Sequence, residues 1–82
     1  MSPTPVKIAV SGCAGRMGRR IVALALADEA FAVAGAVESA GNPVLGQDVG
    51  GLADGRTVGV RVTDQIEQAL QPAEVLIEFS KP

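Results

Sequence analysis

The chain has 82 residues, 48% of them hydrophobic, and a formal net charge of −2. That describes one small soluble domain whose core is marginal for its surface, and the mild acidity without a basic run gives no general attraction for nucleic acid. One cysteine and no histidine exclude an internal disulfide framework and a zinc site. The longest apolar stretches, Ile21 to Ala27 and Ala30 to Val37, are too short for a membrane span. Met1-Ser2-Pro3-Thr4-Pro5 lacks the basic and apolar regions of a signal peptide, so the cytoplasm is the default location.

In chain order, Met1 to Pro5 reads as a loose arm, because its two prolines cannot pair in a sheet. Val6 to Ser11 is a short apolar, β-branched run, the mark of a strand buried on both faces. Three glycines spaced three apart follow, Gly12, Gly15 and Gly18, and a helical pattern begins at Arg16. Met17, Ile21, Leu24, Ala25 and Asp28 recur at helical spacing, which predicts one mainly apolar face with Arg19 and Arg20 toward solvent and an end near Asp28 or Glu29. Phe31 to Val37 is a second apolar run with Glu38 at its end. Strand, helix and strand in so short a span predict a parallel pair with a right-handed crossover.

Ser39 to Thr57 is rich in glycine and turn dipeptides, and a short helix is expected around Val44 to Gln47 or Val49 to Ala53. Val58 to Val62 alternates weakly and reads as a third strand. Asp64 and Glu67 have the spacing of a capping box, with Asp64 as N-cap of a helix of one to two turns that Pro72 stops. Glu74 to Phe79 is a fourth strand, followed by Ser80-Lys81-Pro82. The pattern predicts α/β architecture: the first half of a doubly wound, Rossmann-type parallel sheet in strand order 3-2-1-4. Ligands of such sheets bind at the carboxyl ends of the strands, where the order switches. Gly12 and Phe79-Ser80-Lys81 should therefore face each other across one crevice. Residues 1–82 read as a single dinucleotide-binding domain. A fourth strand with nothing yet to cover it suggests the N-terminal fragment of a larger protein.

The glycine turn carries the chemistry. Gly12 permits a sharp turn, Gly15 a close approach of backbone to a pyrophosphate, and Gly18 tight packing of the helix on the sheet. The unpaired N–H groups and positive dipole end of the helix then suit an anion. Arg16 is a cation at a helix start, an unfavourable position unless an anion is expected there. Met17 suits either the core or the side of a cofactor. Cys13 reads as a small residue that fits the turn, with a thiol activated by the helix start as the alternative. Glu38, twenty residues beyond Gly18, suits the hydroxyls of an adenosine ribose. A 2′-phosphate beside its carboxylate would be repelled by up to about 4 kcal/mol at close range, and Ser39 supplies no cation to offset that. NADH is therefore the expected cofactor, with NADPH possible. Asp28, Glu29, Asp48, Asp54 and Glu74 read as surface residues. No residue is read as catalytic.

The wording of the turn is more specific than its spacing. Ser11-Gly12-Cys13-Ala14-Gly15-Arg16-Met17-Gly18 after Lys7-Ile8-Ala9-Val10 resembles the dihydrodipicolinate reductase family. Glu38, the Leu45-Gly46-Gln47-Asp48-Val49-Gly50 loop and Val75-Leu76-Ile77-Glu78-Phe79-Ser80-Lys81-Pro82 agree with it in order. The resemblance implies an NAD(P)H-dependent reductase of lysine and diaminopimelate biosynthesis that delivers hydride to a cyclic dicarboxylate. By position it assigns Gly12, Cys13, Ala14, Gly15, Arg16 and Met17 to the pyrophosphate and Glu38 to the adenosine ribose. Phe79, Ser80 and Lys81 would border the nicotinamide ribose. Ser39 stands where many members carry a basic residue that helps them use both cofactors. The resemblance also implies a homotetramer, with the catalytic residues and substrate-binding domain beyond Pro82, so the fragment alone should be inactive. The residues leave two further readings open. One is a non-catalytic nucleotide-binding module or NADH sensor, and the other is a different dehydrogenase with the same glycine spacing.

Overall fold

Apolar runs bounded by glycine turns form the strands of the fold. In a computed structural model that describes residues 4–78, Val6–Ser11 is β1, Arg16–Leu26 is α1 and Phe31–Val37 is β2. A single turn of 3-10 helix spans Val49–Leu52, α2 is Ile66–Leu70 and β3 is Val75–Glu78. The start of the expected arm, Met1 to Pro3, and the group Phe79, Ser80 and Lys81 lie outside the described residues.

The three strands form a parallel sheet in the order β2-β1-β3. The first and second predicted strands pair as expected, and the predicted fourth strand takes the other side of β1. The three strands match the 2-1-4 part of the expected order 3-2-1-4, but Val58 to Val62, expected as the third strand, is not a strand. Its backbone is engaged elsewhere. Val62 N–H donates to Gln47 O (2.9 Å), and Val49 N–H donates to Val60 O (2.8 Å). Gly59, with φ of 90°, breaks the extended run. Only Thr63 reaches β2: its N–H donates to Ala36 O (2.9 Å), and its carbonyl accepts from Glu38 N–H (3.0 Å). The segment thus lies along the β2 edge with a ladder one bridge long.

The register of β1 and β2 shifts between Ile8 and Ala9, because Ile8 pairs with Val33 while Ala9 pairs with Gly35. Partners across a ladder point to the same face. The bulge therefore puts Val33 and Ala36, three residues apart, on the face of Ile8 and Val10. That face holds the core, with Val22 and Ala25 of α1 and Val49 and Leu52 of the 3-10 helix packed over it. Burying one valine such as Val22 contributes roughly 1.5–3 kcal/mol. On the other face Gly35 lies against Ala69 of α2, so close that a Cβ on Gly35 would sit 2.9 Å from the Ala69 methyl.

Helix α1 begins where the sequence predicts, but it is rotated relative to the expected face. Gly18, Val22 and Ala25 are buried, whereas Met17 and Leu24 are 49% and 60% exposed. The glycine at position 18 explains the rotation: the side without a side chain can approach the turn most closely, and it carries Val22 and Ala25 inward with it. Arg19 and Arg20 are exposed as expected. At α2 the N-cap is Gln65, not Asp64, and it makes no side-chain cap bond. Asp64 instead accepts from the Gln65 side-chain amide (3.1 Å), while Thr63 Oγ1 accepts Gln65 N–H (3.0 Å). The capping box therefore does not form.

Candidate cofactor site

The turn between β1 and α1 is held by the end of β2. Gly12 and Cys13 both donate their N–H to Val37 O, at 2.9 and 3.2 Å, and Gly15 N–H closes the turn on Gly12 O at 3.1 Å. The three glycines occupy three different environments. Gly12 has φ of 77°, a left-handed conformation that favours glycine. A Cβ on Gly18 would lie 2.7 Å from Cys13 Cα, so the helix can start over the turn only with glycine there. Gly15 is exposed, its φ is −74°, and a Cβ there would meet only Gly12 O at 3.4 Å. Neither backbone conformation nor packing against the described residues requires glycine at position 15, whose structural role is that of a helix N-cap.

The helix start suits an anion. Gly15 is the N-cap and has no side chain to offer, and the first turn of α1 contains no acidic residue. The first backbone bond runs from Arg19 N–H to Gly15 O (2.9 Å), so the N–H groups of Arg16, Met17 and Gly18 precede the helical ladder. Arg16 is exposed beside them with no hydrogen-bond or ion-pair partner among the described residues. Met17 lies on the surface next to Arg16 and is not a core residue. A cation on the first turn opposes the helix dipole, and a bound anion would offset both.

Glu38 stands at the carboxyl end of β2, half-buried, and reaches back to the turn. Its Oε2 accepts Ala14 N–H at 3.0 Å, and its Oε1 accepts Ser39 N–H at 2.9 Å. The Ser39 hydroxyl lies 3.5 Å from the same Oε1. An ionised carboxylate has about four acceptor positions, so Glu38 can hold these three donors and still accept from a further hydroxyl. Cys13 is fully buried beneath the turn. Desolvation, and next the Glu38 charge, push its thiol from an ordinary 9.0 up to about 11. The activated-thiol alternative is thereby overturned.

The structure thus brings Gly12, Cys13, Ala14, Gly15, Arg16, Met17, Glu38 and Ser39 together at the carboxyl ends of β1 and β2. β3 finishes alongside, with Glu78 paired to Ser11. Phe79, Ser80 and Lys81 lie outside the described residues. Sequence reasoning missed the bonds that Arg19 and Asp48 make, and the ion pair of Asp54 with Arg56. Arg19, read as a solvent-facing cation, donates from Nε to Ala14 O at 2.9 Å. Asp48, read as a surface residue, accepts Gly50 and Val58 N–H at Oδ1 (both 2.9 Å) and Gly59 N–H at Oδ2 (2.7 Å). Its position just before Val49-Gly50 is a turn signal that could have revealed the local bond, but nothing in the sequence signals the other two. Among the described residues no group of acidic, cysteine or histidine side chains could hold a metal ion, and no helix is long and apolar enough to cross a membrane.

Comparison with known proteins identifies the family. The family described as "Dihydrodipicolinate reductase, N-terminus" matches residues 6–82. The 4-hydroxy-tetrahydrodipicolinate reductase of Anaeromyxobacter dehalogenans (strain 2CP-1) is 50% identical over 74 residues, 90% of this chain and 27% of that protein. The enzyme of the same name from Geotalea uraniireducens is 46% identical over 77 residues, and that from Burkholderia cenocepacia 40% over 77, each covering 94% of this chain and 29% of the relative. The chain therefore spans little more than a quarter of the length of the curated relatives it matches.

Proposed function

Because the chain belongs to the dihydrodipicolinate reductase family, matching its N-terminal part, we propose that residues 1–82 are the dinucleotide-binding domain of an NAD(P)H-dependent reductase acting on 4-hydroxy-tetrahydrodipicolinate. The observation that carries this reading is the helix start: three N–H groups ahead of the ladder, a glycine N-cap that folding does not require, and a carboxylate one strand away. In this reading Gly12 to Met17 hold the pyrophosphate, with Arg16 supplying positive charge. Glu38, with Ser39 beside it, receives the adenosine ribose hydroxyls. Phe79, Ser80 and Lys81 border the nicotinamide ribose. The bound nicotinamide supplies hydride, and the reduced product is a step of lysine and diaminopimelate biosynthesis. The residues that bind the dicarboxylate and donate a proton, and the tetramer contacts, belong to the rest of the protein. The 82-residue piece accordingly binds cofactor without turnover.

NADH is the preferred form, because Glu38 repels a 2′-phosphate and Ser39 does not neutralise it. Solvent at this half-buried position reduces the repulsion below about 4 kcal/mol. Calorimetric titration of the 82-residue chain with each dinucleotide tests the reading. NADH should bind more tightly than NADPH, and Glu38→Ala should shrink the ratio of the two affinities at least tenfold, since hydrogen bonds to a charged group contribute about 1.5–3 kcal/mol. Tighter binding of NADPH, or a ratio unchanged by the substitution, would remove Glu38 from the ribose.

A further inference from the structure

We propose that Arg19 is a positioning residue of the glycine turn, fixing the Ala14–Gly15 peptide so that the N–H groups of the helix start face the dinucleotide. The inference rests on the cofactor reading above and adds a residue that need not touch the ligand. Ala14 is gripped on both sides: its N–H donates to Glu38 Oε2 (3.0 Å), and its carbonyl accepts from Arg19 Nε (2.9 Å). The next N–H, of Gly15, goes to Gly12 O (3.1 Å), and the Gly15 carbonyl accepts Arg19 N–H (2.9 Å). Every backbone polar group from Ala14 N–H to Gly15 O is therefore tied within the chain, and Arg19 supplies two of the four bonds. The groups left for an anion are those of Arg16, Met17 and Gly18.

The peptide needs such a restraint. Gly15 has no Cβ, is exposed and makes no side-chain cap bond, so its backbone has more conformations available than any other residue type would. If the Ala14–Gly15 peptide turned over, its carbonyl would face Gly12 O where Gly15 N–H now bonds, and the turn that sets the direction of the Arg16, Met17 and Gly18 N–H groups would lose its closure. The Arg19 guanidinium holds that carbonyl by a charge-assisted bond. Glu38 holds the preceding N–H. The two residues divide the work: Glu38 also meets the ribose and so affects the choice of dinucleotide, whereas Arg19 affects all dinucleotides alike.

The test uses the 82-residue chain with Arg19→Met and Arg19→Lys. Lysine keeps the charge but carries its donor one bond further along the side chain. Arg19→Met should weaken NADH and NADPH by the same factor, about tenfold, leaving their ratio unchanged. Amide exchange at Ala14 and Gly15, followed by NMR, should quicken by a similar factor while the melting temperature stays within a few degrees. Arg19→Lys should recover only a small part of either loss. Full recovery in the lysine variant would make Arg19 a source of positive charge only and overturn the proposal, as would unchanged exchange at Ala14 and Gly15. Global unfolding of Arg19→Met would overturn it too, by making Arg19 a residue of general stability. If the unsubstituted chain bound neither dinucleotide, the cofactor reading would fall, while exchange at Ala14 and Gly15 would still decide whether Arg19 holds the turn.

Discussion

Replacing Gly18 by alanine would press a methyl group into the backbone of the turn, 2.7 Å from Cys13 Cα and 2.9 Å from the Gly12 carbonyl carbon. Neither atom can move aside, because Gly12 and Cys13 are both bonded to Val37 O at the end of β2. Overpacking of this kind costs about 1–3 kcal/mol, and the clash with fixed backbone favours the upper part of that range. Alanine returns about 0.8–1 kcal/mol of helix propensity. The net loss is about 1–2 kcal/mol, which for a domain of this size lowers the melting temperature by about 5–15 °C. Gly15→Ala provides the contrast, since its φ of −74° is open to any residue and its Cβ would make only an ordinary contact. It should lose about 0.5 kcal/mol from the weaker N-cap and melt only about 2–4 °C lower, yet bind NADH markedly less well. Thermal melts by circular dichroism, paired with NADH titration, distinguish the two. A Gly18→Ala variant melting with the parent, or a Gly15→Ala variant melting as low as Gly18→Ala, would refute the division of roles between these glycines.

Two further predictions concern ionisable groups. Cys13 should resist a thiol reagent at pH 8 in the folded chain and react once denaturant is added. Its folded pKa is raised to about 11, so the stability it contributes is fully present below pH 9 and is lost as the pH rises through 11. Cys13→Ala should flatten the alkaline fall in melting temperature over that window. The backbone N–H groups of Val58, Gly50 and Gly59 hold the Asp48 carboxyl below its ordinary value. Its contribution is therefore present above the usual carboxylate range and lost as the pH falls through the lowered value. Asp48→Asn, which replaces one acceptor oxygen with a donor, should speed amide exchange at Val58 and Gly59 at neutral pH. Unchanged exchange there would mean that the three bonds do not hold the loop.

What can be read in the sequence is what depends on near neighbours. The run Val6 to Ser11, the spacing of Gly12, Gly15 and Gly18, and Glu38 at the end of Phe31 to Val37 place the cradle and its carboxylate without knowledge of any distant contact. The misreadings involve contacts, some of them only a few residues away, that no periodicity or spacing announces. Leu24 matches the helical period as well as Val22 does, and only the close seat of Gly18 on the turn decides which of them is buried. Val58 to Val62 alternates like a strand, but Gln47, Asp48 and Val49 take up its backbone. Asp64 has a capping spacing, yet Thr63 reaches the helix start first. Arg19 is indistinguishable in sequence from Arg20, and the difference is a carbonyl five residues earlier.

The bulge in β2 bears on how the carboxylate is aimed. β2 has seven residues where β1 has six over the same ladder, so Ala34 is a residue that the pairing does not use. A chain lacking Ala34 would still have six residues to match Val6 through Ser11 in an unbroken register, and Val37 would still end opposite Ser11. The position of Glu38 is thus set from the turn, where Val37 O receives two N–H groups, and not by counting forward from the start of the strand. β2 carries slack in its middle and is anchored at the end that faces the site, so changes of length there can be absorbed before they reach the carboxylate.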